Sequence, residues 1–218
     1  MQPFLILEAW LRYNKIMAIP KPIFKPKYKI CVSGAAETGH CAKDALEKAR
    51  EIGREIVRHG GVLVTGATQG IPHWAAMGAK EEGGISIGLS PAASEAAHKK
   101  VYRLPTAYFD VIIYTGFQYS GRNLLLTRTA DAVILLCGRM GTLNEFTIAF
   151  EEQKLIGVLK DTGGTADLIR DLVRQLHKES GKIVYDTNPR RLVKKIFQIL
   201  QGTKVESMDK SFFSHAHE

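Results

Sequence analysis

The sequence predicts a doubly wound, Rossmann-like α/β domain of three layers, with a mostly parallel sheet of about seven strands. Three observations predict it. Short apolar runs rich in Val, Ile and Leu recur along the chain, and they are continuous rather than alternating, as in strands buried on both faces. Segments with helical spacing separate them, which requires crossovers and hence parallel neighbours. Glycine stands just beyond four of these runs.

The elements follow in order from residue 28. "KICVSG" (29–34) is the first strand. "CAKDALEKAREIGREIVRHGG" (41–61) places Leu46, Ala49, Ile52, Ile56 and Val57 at helical spacing and is stopped by Gly60 and Gly61. "VLVTGATQG" (62–70) is a second strand running into glycine. "PHWAAMGAKEEGG" (72–84) carries proline in the first turn of a helix and ends on two glycines. "ISIGLSP" (85–91) and "DVIIYTG" (110–116) are the third and fourth strands. "RNLLLTRTA" (122–130) reads as a helix and "DAVILLCG" (131–138) as the fifth strand. The helix "TLNEFTIAFEEQK" (142–154), the strand "LIGVLK" (155–160), the helix "TADLIRDLVRQLHKE" (165–179), the strand "KIVYD" (182–186) and the helix "NPRRLVKKIFQIL" (188–200) complete the pattern.

In such a sheet, ligands bind beyond the carboxyl ends of the strands. The loops there are "SGAAETG" (33–39), "TGATQG" (65–70), "TGFQYSGRN" (115–123) and "CGRMGTLNE" (137–145). Glycine lets backbone approach a ligand closely, and helix N-termini attract anions, so a phosphate site is expected. None of these loops is a Walker A sequence or G-x-G-x-x-G, which argues against a plain dinucleotide site. No G-x-S-x-G is present either, so no hydrolase triad is signalled.

Composition narrows the classes further. The 218 residues suit one large domain, and 45% apolar with 24% charged is ordinary for a globular protein. The net charge of +8 raises nucleic acid as a partner, but the basic residues are scattered and no zinc-finger, RRM or KH signature appears. Three cysteines (Cys31, Cys41, Cys137), odd in number and widely spaced, read as a reduced cytoplasmic protein without a disulfide framework or metal site. Cys137 reads first as a small buried apolar residue at a strand end, with a reactive thiol as the second reading. Residues 1–27 read as an extension: an amphipathic stretch with Phe4, Leu5, Ile6, Trp10 and Leu11, then the proline-rich linker "PKPIFKPK". The stretch lacks the basic start of a signal peptide and is too short to span a bilayer. Residues 28–201 are the domain. The last residues, 202–218, read as a disordered tail whose His215 and His217 make a weak metal signal.

The segment "CGRMGTLNE" resembles the PGGxGTxxE motif of the LOG family, the lysine-decarboxylase-like proteins. Gly138, Gly141, Thr142 and Glu145 match, while Cys137 and Arg139 replace Pro and Gly. "SGRN" supplies Arg122, 23 residues before Glu145, at the family's spacing; Asn123 replaces the usual Lys. The Arg-Asn pair and the run "ISIGLSP…DVIIYTG" resemble the branch that holds molybdenum-cofactor carriers and uncharacterised nucleotide-binding proteins.

The resemblance implies two readings. One is a nucleoside 5′-monophosphate phosphoribohydrolase, with Glu145 stabilising a developing ribosyl cation and Arg122 orienting ribose and phosphate. The other is a non-catalytic carrier of a phosphorylated cofactor, or a nucleotide sensor. No cofactor or metal is required, and the ligand is a nucleoside monophosphate or phosphorylated cofactor. The resemblance also implies a homodimer or homotetramer; the sequence itself speaks against a membrane and argues against a nucleic-acid partner, although distant relatives of the fold bind DNA during uptake.

Each site residue also has a structural reading. Thr142 and Glu145 form a T-x-x-E capping box in sequence, so Glu145 could cap a helix, touch a ligand, or do both. Arg122 is a solvated helix residue, or it meets a ligand phosphate or Glu145. Arg139 forks to phosphate, closes the pocket, or points into solvent. Ser33, Gly34, Gly66, Thr68, Gly70, Thr115, Gly116 and Asn123 join Gly138, Arg139, Gly141 and Thr142 as the expected phosphate and nucleotide contacts, or they are turn residues. His73 and Trp74 pack a helix rather than stack a base.

Overall fold

The computed structural model describes residues 28–176 and 182–202. The N-terminal extension, the tail with His215 and His217, and the end of the helix expected over 165–179 lie outside the described residues.

Seven strands form one sheet in the order β4-β3-β2-β1-β5-β6-β7. They are β1 (Tyr28–Gly34), β2 (Gly61–Gly66), β3 (Ser86–Ser90), β4 (Val111–Tyr114), β5 (Ala132–Leu136), β6 (Leu155–Leu159) and β7 (Ile183–Asp186). Every neighbouring pair is parallel, so the sheet is wholly parallel. The helices are α1 (Ala45–Arg58), α2 (Ile71–Glu81), α3 (Glu95–Lys100), α4 (Gln118–Thr129), α5 (Met140–Glu151), α6 (Gly164–Gln175) and α7 (Pro189–Gly202).

The central strands β2, β5 and β6 are buried along their whole length, which explains their continuous apolar sequences. Two cores flank the sheet. Ile52, Ile56 (α1), Ala75 (α2), Ile196 and Phe197 (α7) close one face over Ile30 and Ile134. Leu126 (α4), Phe146 (α5) and Ile169 (α6) close the other over Val64 and Val133. Burying a side chain such as Ile134 stabilises the fold by about 1.5–3 kcal/mol.

Chain order reverses between β1 and β5. The connection from β1 leads into α1 on one face and that from β5 into α5 on the other, which opens a crevice at their carboxyl ends.

Three expectations need correction. The short α3 escaped the pattern; its start is set by Ser94, whose hydroxyl accepts from the Ala97 amide at 3.2 Å. Helix α5 begins at Met140 with Arg139 as its cap residue, so Thr142 lies inside the helix and the capping box does not form. Cys41 and Cys137 are joined as a disulfide, with Cα atoms 5.5 Å apart, and only Cys31 is free. Ninety-six residues separate the pair in sequence. The parallel pairing of β1 and β5 brings the loops that follow them together, which spacing alone does not reveal. The expectation of three unpaired cysteines therefore does not hold. Among the described residues no helix is long and apolar enough to cross a membrane.

Candidate functional site

Ser33 and Gly34 end β1 beside Leu135 and Leu136 of β5. Two turns into the chain beyond β5, Glu145 points back from α5 into the crevice. The Ser33 hydroxyl donates to Glu145 Oε2. Arg122 reaches across from α4 and sets Nη1 3.6 Å from Glu145 Oε1; the two side chains are only 9% and 7% exposed. Asn123 joins them. With its amide oriented so that nitrogen faces acceptors, it donates to Glu145 Oε1 at 2.9 Å and to the Tyr119 carbonyl at 3.0 Å. Three side chains from two elements, Ser33 of β1 with Arg122 and Asn123 of α4, thus hold one buried carboxylate.

Burial pushes the Glu145 carboxyl above its ordinary value, against the opposing pull of the Arg122 charge and the Ser33 hydrogen bond. Arg122 keeps one buried N–H, Nε, with no hydrogen-bond partner, and its guanidinium lies 5.8 Å from the centre of the Tyr119 ring. This arginine is neither a solvated helix residue nor fully satisfied.

The glycines at the strand ends make room for the cluster. A Cβ on Gly66 would stand 2.3 Å from Arg122 Nη1. Gly138 has φ +98°, and a Cβ there would meet the Thr142 side chain at 2.5 Å. Gly141 differs: the nearest atom to its added Cβ is in the Asn123 side-chain amide, at 4.0 Å, so its side is open rather than packed. The first amides of α5 have no carbonyl of their own helix to bond, and Gly141 and Thr142 are among them.

Gly34 packs under Ile71 and the Leu136 carbonyl, and Gly70, with φ +68°, lies against the Ala35 and Ala36 carbonyls. Thr68 turns the loop after β2 through its amide to the Gly66 carbonyl at 2.8 Å. These residues shape the crevice from below.

Thr115 and Gly116 do not join it. They follow the edge strand β4, where the Thr115 hydroxyl donates to the Ser90 carbonyl at 2.7 Å and the Gly116 amide to the Ala92 carbonyl at 3.0 Å. Turn chemistry accounts for both. Arg139 does not meet the cluster either. It is exposed, and Nη1 pairs with Glu37 of the β1 loop at 2.7 Å while Nε donates to His40 Nδ1 at 3.3 Å. His73 is half-buried against Tyr108 and Phe109, as expected of a packing residue.

Four residues escaped sequence reading: Glu37, His40, Cys41 and Thr162. Thr162 is fully buried; its hydroxyl accepts from the Cys137 amide at 2.8 Å and donates to the Leu159 carbonyl. The available signal was "ETGHC" (37–41), a loop holding a carboxylate, an imidazole and a thiol opposite "CGR" (137–139).

A parallel, doubly wound sheet with a buried Ser-Glu-Arg-Asn cluster at its switch point defines a Rossmann-like protein of the LOG type. Residues 27–193 match the model of the SLOG cluster4 family, and the chain belongs to that family. An uncharacterised protein of Archaeoglobus fulgidus is 28% identical over 132 residues, covering 61% of this chain and 82% of that one. The molybdenum cofactor carrier protein of Chlamydomonas reinhardtii superposes with a TM-score of 0.66 at 26% identity, covering 80% of this chain and 99% of that chain. The molybdenum cofactor binding protein of Rippkaea orientalis does so with 0.65 at 27%, covering 82% and 99%.

Proposed function

We propose that this protein binds a phosphorylated small molecule, a nucleotide or a phosphorylated cofactor of the molybdenum-cofactor kind, and holds it without cleaving it. The observation that carries this reading is the state of Glu145. Its carboxylate is buried and engaged by Ser33, Arg122 and Asn123 together. A carboxylate that stabilises a ribosyl cation needs free lone pairs facing the sugar, and here each of its oxygens already accepts from a protein donor. The cluster then works as a rigid floor. Above it, the Gly138–Thr142 turn and the first amides of α5 supply N–H donors to a phosphate. The carrier and binding proteins to which the chain is similar support the same reading.

A second reading rests on a specific observation. Glu145 and Arg122 are adjacent, as cleavage of an N-glycosidic bond in a nucleoside 5′-monophosphate would require. Ligand binding can reorder such a cluster, so the two readings are separated by turnover. Incubation with a panel of nucleoside 5′-monophosphates, followed by chromatography for free base and ribose 5-phosphate, is expected to show no release. Thermal stabilisation by some of the same compounds is expected beside it. Release that disappears in Glu145→Gln would overturn the carrier reading in favour of the hydrolase.

Self-association belongs to the same proposal. Val111 and Ile113 on the edge strand and Leu124 and Leu125 on α4 are exposed, a surface suited to a second copy of this chain. Light scattering that returns the mass of one chain at all concentrations would remove it.

A further inference from the structure

The Cys41–Cys137 disulfide has no place in the function just proposed. It lies beside the site all the same. Cys137 is the last residue before Gly138, and Cys41 ends the loop that leaves β1. The bridge therefore fastens together the two loops that flank the switch point.

Its surroundings are asymmetric. Cys137 is fully buried, whereas Cys41 is half-exposed, so a small molecule reaches the Cys41 sulfur first. Around Cys137 the protein gathers positive potential. The N-terminus of α5 begins three residues on, and the Ala166 amide of the first turn of α6 donates to the Cys137 carbonyl at 2.9 Å. His40 Nε2 stands 3.4 Å from Cys137 Sγ and 3.1 Å from the Gly138 carbonyl. Arg139 Nε donates to His40 Nδ1, which fixes Nδ1 as the acceptor and places the ring proton on Nε2, between the Gly138 carbonyl and the sulfur. These are the features that stabilise a departing thiolate.

We propose that Cys41 and Cys137 form a thiol–disulfide exchange site for low-molecular-weight thiols, and that its redox state sets the affinity of the neighbouring phosphate site. The coupling rests on the binding function proposed above; the exchange does not. A small thiolate attacks Cys41 Sγ. The S–S bond breaks, its electron pair leaves on Cys137 Sγ, and His40 Nε2–H donates to the new thiolate. A second small thiol displaces Cys41 from the mixed disulfide. The products are two protein thiols and one small disulfide, with two electrons and two protons supplied by the two small thiols. Reduction has two effects on the site. It removes the covalent tie between the 36–41 loop and the turn at Gly138, and it leaves a sulfur that gains negative charge whenever its proton leaves, one residue from the turn that meets the phosphate. Both weaken anion binding. By linkage, bound phosphate ligand protects the bridge from reduction by the same factor.

The three side chains also satisfy the spacing of a metal site, since ligand atoms of His40, Cys41 and Cys137 lie within 4.8 Å of one another. The arginine argues against it. A metal-bound imidazole donates its second N–H to an acceptor, whereas Arg139 presents a donor and a positive charge.

The test uses the full chain equilibrated in buffers of reduced and oxidised glutathione. The bridge is scored by alkylation and peptide mass at Cys41 and Cys137, with the buried Cys31 as internal reference. Affinity for adenosine 5′-monophosphate is measured in the same samples by calorimetry. The expected result is a reversible bridge, affinity about fivefold or more lower after reduction, and a Cys41→Ser variant whose affinity no longer responds to the buffer. Equal affinity in both states overturns the coupling. A pair that stays reduced in excess oxidised glutathione, or reduced protein that retains one zinc ion per chain, overturns the exchange site. If the nucleotide binds in neither state, the binding function fails and the coupling with it, while alkylation alone still decides the exchange.

Discussion

Two groups of arginines and glutamates stand in different solvents within this molecule. On α1, α2 and α7, Arg50 and Arg54 pair with Glu81, Arg58 with Glu82, and Arg190 with Glu51, all at or near the surface. At the switch point, Arg122 faces Glu145 under cover. The carboxylates respond in opposite directions. Glu81 is held below its ordinary value, chiefly by its hydrogen bond from Arg50, while burial raises Glu145 despite its arginine. Removal from water outweighs one imperfect ion pair, whereas in water even modest pairing lowers the carboxyl. The buried group is costly to keep, and its retention points to use.

The sharpest way to break this comparison is Arg122→Ala. It strands a buried carboxylate, and the expected loss is about 3–5 kcal/mol of unfolding free energy by urea titration. Arg122→Met with Glu145→Leu, which removes both charges at similar volume, is expected to recover most of that stability and none of the ligand binding. A double variant as unstable as the single one would show that packing, not charge, holds the site.

Next in size is Gly138→Ala. The new methyl would need a left-handed backbone and a displaced Thr142 side chain, so a loss of about 1–3 kcal/mol is expected. Gly141→Ala meets no such obstacle. It is expected to leave the melting temperature nearly unchanged, because that side is open, while weakening nucleotide binding if the proposed site is right.

The pH dependence distinguishes the two groups by sign. Glu145 has a raised value in the folded chain, so the native state holds its proton longer than the unfolded one. Its contribution to stability is full below the ordinary carboxylate range and is lost as pH rises through the raised value. Asp186 is the reverse: hydrogen bonds from Arg191 and Lys195 hold it well below the ordinary range. Its contribution is present at neutral pH and lost as pH falls below that range. Each amide variant mimics the protonated acid, so both are expected to lie nearest wild type at low pH and to diverge from it toward neutral pH with opposite sign, Glu145→Gln gaining on wild type and Asp186→Asn falling below it. Parallel curves for Glu145→Gln and wild type would contradict the buried assignment.

The parts of this arrangement that sequence disclosed share a physical basis. Continuous apolar strands and glycine at their ends are local signals, so the seven strands, their order of appearance and the four loops were legible. Arg122 and Glu145 stood out through their motif and spacing. The rest depends on which loops the sheet brings together. Thr142 and Glu145 satisfy a capping box locally, yet the helix starts two residues earlier and turns the glutamate inward toward Ser33, a residue 112 positions away. Thr115 and Gly116 carry the same glycine signal as the other loops, but β4 lies at the edge, away from the switch point. Cys41 and Cys137 look unpaired in sequence because only the pairing of β1 with β5 makes them neighbours.

The smallest effect is expected on the exposed side of the comparison. Arg54 meets Glu51 at 3.0 Å and Glu81 at 2.7 Å, with side chains between 13% and 31% exposed. Solvent screens these pairs, and Arg50 still serves Glu81 when Arg54 is gone. Arg54→Gln, which keeps most of the stem's packing, is therefore expected to cost only about 0.2–1 kcal/mol. Most of that should vanish in 1 M salt, where the screening length is about 3 Å. The Arg122→Ala loss should persist there, because the counterions cannot enter. If both losses shrink alike with salt, the switch-point pair is solvated in solution, and its carboxylate is free to meet a ligand directly.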